Sequence, residues 1–274
     1  MSGIENFEVY GRHFLVYFGD LSQMQFRTSN ELRGWCNCKK VLGVANPYDF
    51  DCDSRTSYWY VLQDRFREIA EYESTNTRRK IRGALARYRF ELVSNDVMLE
   101  LGYSIYCQAF QRYALRPPLT EAKFRQQLRE QMAYGENYWM AFDDDSGRPA
   151  AYISVLVRGR SVFMNFERLS SDFTQHSPIY GFIYTLTEYY LRDRGYLWLV
   201  SGARTVREHS KVQEQKITRL QFRKAYCRLQ LELVPWLRIA TRLLYPFRKL
   251  LRWQKTLTAF LKLYEYAEKS QRGG

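Results

Sequence analysis

Three short β-type runs in direct succession constrain this chain most. Asn137 to Phe142, Ala150 to Val157 and Val162 to Arg168 are rich in aromatic and β-branched residues, and turn sequences join them, Asp143-Asp144-Asp145-Ser146-Gly147 and Arg158-Gly159-Arg160. Runs of this kind with so few residues between them close as hairpins, which predicts a three-stranded antiparallel unit. After that unit the pattern changes to alternation. Ser177-Pro178 opens a helix that continues through Arg194, with Ser177 as cap and Pro178 at the first helical position, where a missing N–H does no harm. Gly195 ends the helix, and Tyr196-Leu197-Trp198-Leu199-Val200 is wholly apolar and reads as a buried strand. A helix from about His209 to Leu220 and a strand from Ala225 to Val234 follow.

Upstream, Arg89 to Val93 reads as a strand, and Val97 to Tyr113 and Thr120 to Tyr134 as helices, the second with Thr120 as cap and Glu121 in its first turn. Helix formers dominate from Asp64 to Tyr88, with a break near Ser74-Thr75-Asn76-Thr77, where a new helix can be capped. That helix carries Arg78, Arg79, Lys80 and Arg82, and read alone it is a solvated charged face. In the first seventy residues, Phe14 to Phe18 and Tyr58 to Leu62 resemble strands. Ala45-Asn46-Pro47-Tyr48-Asp49 and Asp51-Cys52-Asp53-Ser54 read as turn-rich connections. The expected organisation is a lead-in region over 1–74, a main α/β domain over 75–234 ordered β-α-α-β-β-β-α-β-α-β, and a tail over 235–274.

Composition bears on partners and compartment. The 274 residues are 46% hydrophobic and 26% charged, as in a folded protein. Lys and Arg outnumber Asp and Glu by 42 to 29, a net charge of +13 that makes nucleic acid, phospholipid head groups or a phosphorylated ligand the expected partners. Cys36, Cys38, Cys52, Cys107 and Cys227 form no C-x-x-C pair, and with only three histidines neither a metal site nor a disulfide framework is expected. Apolar runs stay well short of the roughly 18 residues of a membrane span, and Glu5 and Glu8 interrupt the start, so a cytoplasmic protein without a secretory signal is expected.

The order of elements resembles the GNAT acetyltransferase fold, and three segments narrow the resemblance to its Fem-like branch. These are the arginine-rich helix Thr77-Arg78-Arg79-Lys80-Ile81-Arg82-Gly83-Ala84-Leu85, the turn Ser201-Gly202-Ala203-Arg204 after the buried strand, and the ending Lys216-Ile217-Thr218-Arg219-Leu220-Gln221-Phe222 followed by Arg223-Lys224-Ala225-Tyr226. The likeness spans about residues 75 to 234. It implies a mixed, mainly antiparallel central sheet flanked by helices, and an acyl group moved from acyl-CoA, acetyl-CoA foremost, or from charged tRNA. The acceptor it implies is an amine or hydroxyl on a sugar, amine or peptide, in the setting of cell-envelope or surface-polysaccharide synthesis. One departure stands out. Typical GNAT enzymes cradle the coenzyme A pyrophosphate in a Gln/Arg-x-x-Gly-x-Gly/Ala loop, whereas here the stretch from Asp172 to Tyr180 holds no glycine.

The resemblance also implies that the third hairpin strand and the buried strand splay apart around the donor. That geometry brings Glu167, Arg204, Glu208 and His209 toward the reacting atoms, where acyl transfer needs a base and donors for the developing oxyanion. Arg204, just past the buried strand, is expected to reach an anionic group in the cleft. The helix start, with Thr174, Gln175, His176, Ser177 and Tyr180, is the expected donor-phosphate site, because unsatisfied backbone N–H groups there attract anions. Plainer roles stand beside these: Glu167 in an ion pair with Arg168 or Arg158, His209 as a structural hydrogen-bonder, His176 in solvent, Cys227 in packing, and Tyr180 and Tyr184 in a core stripe.

In the tail, nine basic residues (Arg238, Arg242, Arg248, Lys249, Arg252, Lys255, Lys262, Lys269, Arg272) face Glu265 and Glu268. Apolar residues recur at helical spacing from Trp236 and Leu237 onward, with a kink expected at Pro246. Such a helix either lies on an anionic membrane over 236–268 or packs on the domain. A second overall reading is a GNAT-like shell without catalysis that binds nucleic acid or membrane through the Arg78 to Arg89 helix and this tail.

Overall fold

The computed structural model describes residues 3–10, 13–113, 117–173, 177–206, 210–248, 250–251 and 254–272. In chain order the first elements are β1 (Phe7–Tyr10), β2 (Phe14–Tyr17), α1 (Ser29–Lys39), β3 (Gly43–Tyr48), β4 (Tyr58–Gln63), α2 (Thr75–Arg87) and β5 (Tyr88–Val93). Next come α3 (Asn95–Tyr113), α4 (Glu121–Ala133), β6 (Glu136–Asp143), β7 (Pro149–Arg158), β8 (Ser161–Leu169) and α5 (Pro178–Thr187). The chain ends with β9 (Trp198–Ala203), α6 (Ser210–Leu220), β10 (Arg223–Leu233), α7 (Pro235–Leu244) and α8 (Lys255–Arg272).

All ten strands share one sheet, ordered β1-β2-β3-β10-β4-β9-β8-β7-β6-β5. It is mainly antiparallel, with β2/β3 and β8/β9 as its parallel pairs. From β5 to β10 the elements follow the expected order, hairpins included. The sheet runs across residue 74: β4 is hydrogen-bonded between β9 and β10, so the lead-in region supplies a central strand.

Alternation along the strands divides the core. Trp139, Ala141, Ile153, Val162 and Leu199 point to the face covered by α2 and α5, where Ile81, Ala84, Phe182, Ile183 and Leu186 pack. Their sequence neighbours point the other way. Tyr138, Met140 and Phe142 meet Met98, Ile105, Phe124 and Leu128 of α3 and α4, while Leu62, Val200 and Leu229 meet Trp35 of α1 and Ala267 of α8. Cys227 lies fully buried on β10, and burial pushes its thiol far above the ordinary range, which fits packing and not nucleophilic chemistry.

Several local outcomes differ from the sequence expectations. The stretch 45–49 is not a connection: β3 runs through Pro47, opposite Leu229 of β10. Its other neighbour β2 reaches only as far as Ala45, so the missing N–H of Pro47 interrupts no ladder. From Asp64 to Ser74 the chain forms only a short 3-10 turn, Ile69–Glu71, and no α-helix. Arg78 donates to the carbonyls of Tyr72 and Glu73, which occupies acceptors that a continuing helix would have used, and Ser74 caps α2 by accepting from the Thr77 N–H. Arg79 bonds Asn76, and Arg87 and Arg89 pair with Asp143, Asp145, Glu91 and Asp144. Of the basic residues of α2, Arg87 is thus paired with carboxylates, whereas Arg78 and Arg79 bond neutral groups and keep their charge.

α5 must approach the sheet closely. A side chain at Gly181 would meet the Phe90 ring 2.3 Å away and Ala84 at 3.1 Å. The glycine's absence of a Cβ is what lets α5 sit against α2 and β5.

Candidate active site

β8 and β9 run in parallel for three residue pairs, Ser161 with Trp198, Val162 with Leu199 and Phe163 with Val200, and then separate. Each strand carries an extra residue just beyond that point. In β8 the register against β7 passes from Met164 (opposite Val155) to Phe166 (opposite Ser154), leaving Asn165 unmatched. In β9 the register against β4 passes from Val200 (opposite Leu62) to Gly202 (opposite Val61), leaving Ser201 unmatched. A bulge bends its strand and raises the local twist, so the two bulges turn the strands away from each other. Side chains brace them: the Phe166 N–H donates to Ser154 Oγ at 3.1 Å and Asn165 Nδ2 to Glu136 Oε1 at 2.9 Å. Gly202 supplies a left-handed φ of +111° next to the second bulge.

The separation opens a cleft of about 700 Å³ whose lining includes Lys80, Glu167, Ser177, Tyr180, Ser201 and Lys216. Beyond Phe163 and Val200 the facing backbone edges have no strand partner, and side chains take up part of them: Gln213 Nε2 donates to the Ala203 carbonyl at 2.8 Å and Arg168 to the Glu167 carbonyl at 2.9 Å.

Lys216 is the organising residue. α6 carries it under the gap, where it is only 5% exposed. Its ammonium is salt-bridged to Glu167 on β8 and donates to Ser201 Oγ on β9 at 2.9 Å, joining the two diverging strands. A buried ammonium is tolerated only with such partners. Glu167 keeps part of its carboxylate open to the cleft, with its side chain 28% exposed. At the other end, Lys80 of α2 stands 4.9 Å over the Tyr180 ring. Among the described lining residues, Lys80, Arg168, Lys216 and Arg219 are cationic and Glu167 alone is anionic, a balance that favours an anionic ligand.

The residues expected from the sequence fall into three groups. Glu167, Ser177 and Tyr180 do line the cleft. Its carboxylate pairs with neither Arg158 nor Arg168 side chain but with Lys216. Ser177 sits at the start of α5 with a left-handed φ of +47° and makes no side-chain cap, so the expected capping bond is absent there. Arg204 lies elsewhere. Its guanidinium donates to the Ser57 carbonyl at 2.6 Å and stacks over Tyr266 of α8 at 4.1 Å, while its N–H bonds Trp59 of β4. The inward neighbour of β9 is thus β4 and α8, not the cleft. Thr174, Gln175, His176, Glu208 and His209 lie outside the described residues. Tyr184 packs on Phe66 in the core stripe.

Sequence reasoning placed Lys216 and Ser201 inside motifs without assigning them a role. The signal was there: Lys216 occupies the stripe of α6 that includes Gln213 and the buried Leu220, spaced three and four residues from it.

No family model matches the chain, and no curated protein matches its sequence. Solved structures do. FemX superposes with a TM-score of 0.55 at 10% identity, over 83% of this chain and 83% of its own. The C-terminal domain of a putative lysylphosphatidylglycerol synthetase from Agrobacterium fabrum gives 0.49 at 11% identity, over 82% and 79%. L-PGS from Bacillus licheniformis gives 0.46 at 12%, over 83% and 79%. At such identities the likeness concerns architecture, and FemX carries it: the chain has a GNAT-like fold of the Fem-like kind.

Proposed function

We propose that this protein is an acyl- or aminoacyltransferase that works in the cleft between β8 and β9. The observation that carries the reading is the Glu167–Lys216–Ser201 bridge set across two strands bent apart by paired bulges. The Fem-like architecture supports group transfer of this general type. The acceptor nitrogen or oxygen attacks the donor carbonyl carbon, a C–N or C–O bond forms, and the bond to the leaving sulfur or oxygen breaks. Glu167 takes the acceptor's proton, which is the proton the departing thiolate or alkoxide then needs. Lys216 fixes the carboxylate and places positive charge beside the oxyanion that develops, and unpaired backbone N–H groups on the separated strands add donors.

Lys80 and Arg219 fit the phosphate-bearing part of the donor, acyl-CoA or charged tRNA, and stand in for the missing glycine-rich cradle. The helix start at Pro178 adds its partial positive charge. Thermal melting of the purified protein with acetyl-CoA, longer acyl-CoAs and aminoacyl-tRNA tests the reading, because a ligand of the native state raises Tm with its concentration. A rise with one donor, lost in a Lys80→Ala/Arg219→Ala double variant, supports it. No rise with any donor and no donor turnover would retire it.

A further inference from the structure

The described residues include twelve exposed large hydrophobic side chains, and six of them, Trp236, Ile239, Leu243, Leu244, Phe247 and Leu250, fall within fifteen residues of α7 and the turn after it. Positions 236, 239 and 243 are separated by three and four residues and share one side of α7, and Phe247 and Leu250 follow in the 3-10 turn and the turn after it. They are 57% to 74% exposed. The opposite side is anchored: Thr241 is buried, and Arg238 is salt-bridged to Glu232 of β10. An apolar ridge of this size on a docked helix implies a partner.

Charge identifies the partner. From Pro235 to Leu251 the sequence has Arg238, Arg242, Arg248 and Lys249 and no acidic residue, and of these Arg238 and Arg248 are salt-bridged to Glu232 and Glu265 from other elements. A second copy of the chain pairing through this ridge by a two-fold axis would bring these cations against their own counterparts. Trp, Phe and Leu exposed on a segment whose charged residues are all basic is the composition of a helix lying in a lipid interface. We infer that α7 and the following turn dock the protein on an anionic bilayer surface, in the plane of the interface. No helix of the described residues is long and apolar enough to cross a membrane. The docking surface is narrower than 236–268, because α8 is packed on the sheet: Leu261 and Ala267 are buried and Ser270 bonds the Leu229 backbone. β9 runs parallel to β8, and two antiparallel steps through β4 return β10 to that direction. α7 therefore leaves the sheet at the end toward which the cleft opens.

The inference stands apart from the chemistry of the cleft and has its own test. Full-length protein is sedimented with vesicles of equimolar phosphatidylglycerol and phosphatidylcholine, and with phosphatidylcholine alone. Binding to the first and weak binding to the second are expected, with about a tenfold loss in a Leu243→Ser/Leu250→Ser variant whose Tm is unchanged, since both side chains are exposed. Equal sedimentation of variant and parent would overturn the inference. So would a dimer that the same variant dissociates, or binding to RNA that the two leucines do not affect while vesicles are ignored.

Discussion

Lys216 of α6 and Glu167 of β8 are salt-bridged across the gap where β8 and β9 part, and Ser201 of β9 accepts a second bond from the same ammonium at 2.9 Å. Glu167→Gln keeps the shape and removes the base, so donor turnover per folded molecule should fall about 100-fold or more, and Tm should fall too because the buried Lys216 ammonium loses its counter-charge. Lys216→Met leaves Glu167 without its partner. Turnover should fall by a similar factor, and the double variant should be no worse than either single one, because the pair acts as a unit. Additive losses would mean that the two side chains act separately.

Arg204 should behave oppositely. Its guanidinium ties β4 to α8 through Ser57 and Tyr266, so Arg204→Ala should destabilise by about 1–2 kcal/mol, read as a Tm lower by several degrees, through the lost hydrogen bond and stacking. Turnover per folded molecule should stay within about threefold of the parent. A large loss of turnover at unchanged Tm would place Arg204 in the chemistry after all.

Gly181→Ala probes helix placement. The new methyl would collide with the Phe90 ring, which is itself packed against Phe182 at a centroid distance of 4.8 Å, so relief requires α5 to shift. A destabilisation of about 1–3 kcal/mol is expected, of the size seen for overpacked cores. Because α5 carries Ser177 and Tyr180 into the cleft, donor affinity should weaken as well. An unchanged melting curve would show that the ring yields freely.

Glu167, Lys216 and Arg204 also mark how far the sequence alone reaches. From β5 to β10 the order was legible because turn residues at Asp143 to Gly147 and around Gly159 punctuate strands that alternate strongly. In the lead-in the strands at Phe14 and Tyr58 were legible too, but β3 was not, since Pro47 argues against a strand unless one knows that β2 stops short of it. The helix Ser29–Lys39 was readable in principle from its capping box, Thr28 with Glu31, a signature that needs no tertiary knowledge. At the site, Glu167 was named only through the fold resemblance, whereas Lys216 on an amphipathic helix looks like a solvated charge. Its place on the stripe with Gln213 and Leu220 points it inward, but the gap it enters depends on the paired bulges, which no local pattern announces. Arg204 was misplaced for the same reason: its surroundings depend on β4, a strand from the distant N-terminal part, lying beside β9.

Glu136 gives a prediction in pH. Its Oε1 accepts from Asn165, the bulged residue of β8, while Oε2 is buried without a hydrogen-bond partner. Burial raises its pKa, against the opposing hydrogen bonds of Asn165 and Ser154. The folded protein therefore holds this proton to higher pH than the unfolded chain does. The stability so gained is fully present below the unfolded carboxylate value of about 4.3 and is lost as pH rises through the folded value. In Glu136→Gln that loss cannot occur. Melting curves should nearly coincide at about pH 4, and the variant should become the more stable protein as pH is raised toward about 7. If it instead becomes the less stable one, the ionised carboxylate is favoured in the fold, and its bond to Asn165 then outweighs the cost of burial in holding the β8 bulge.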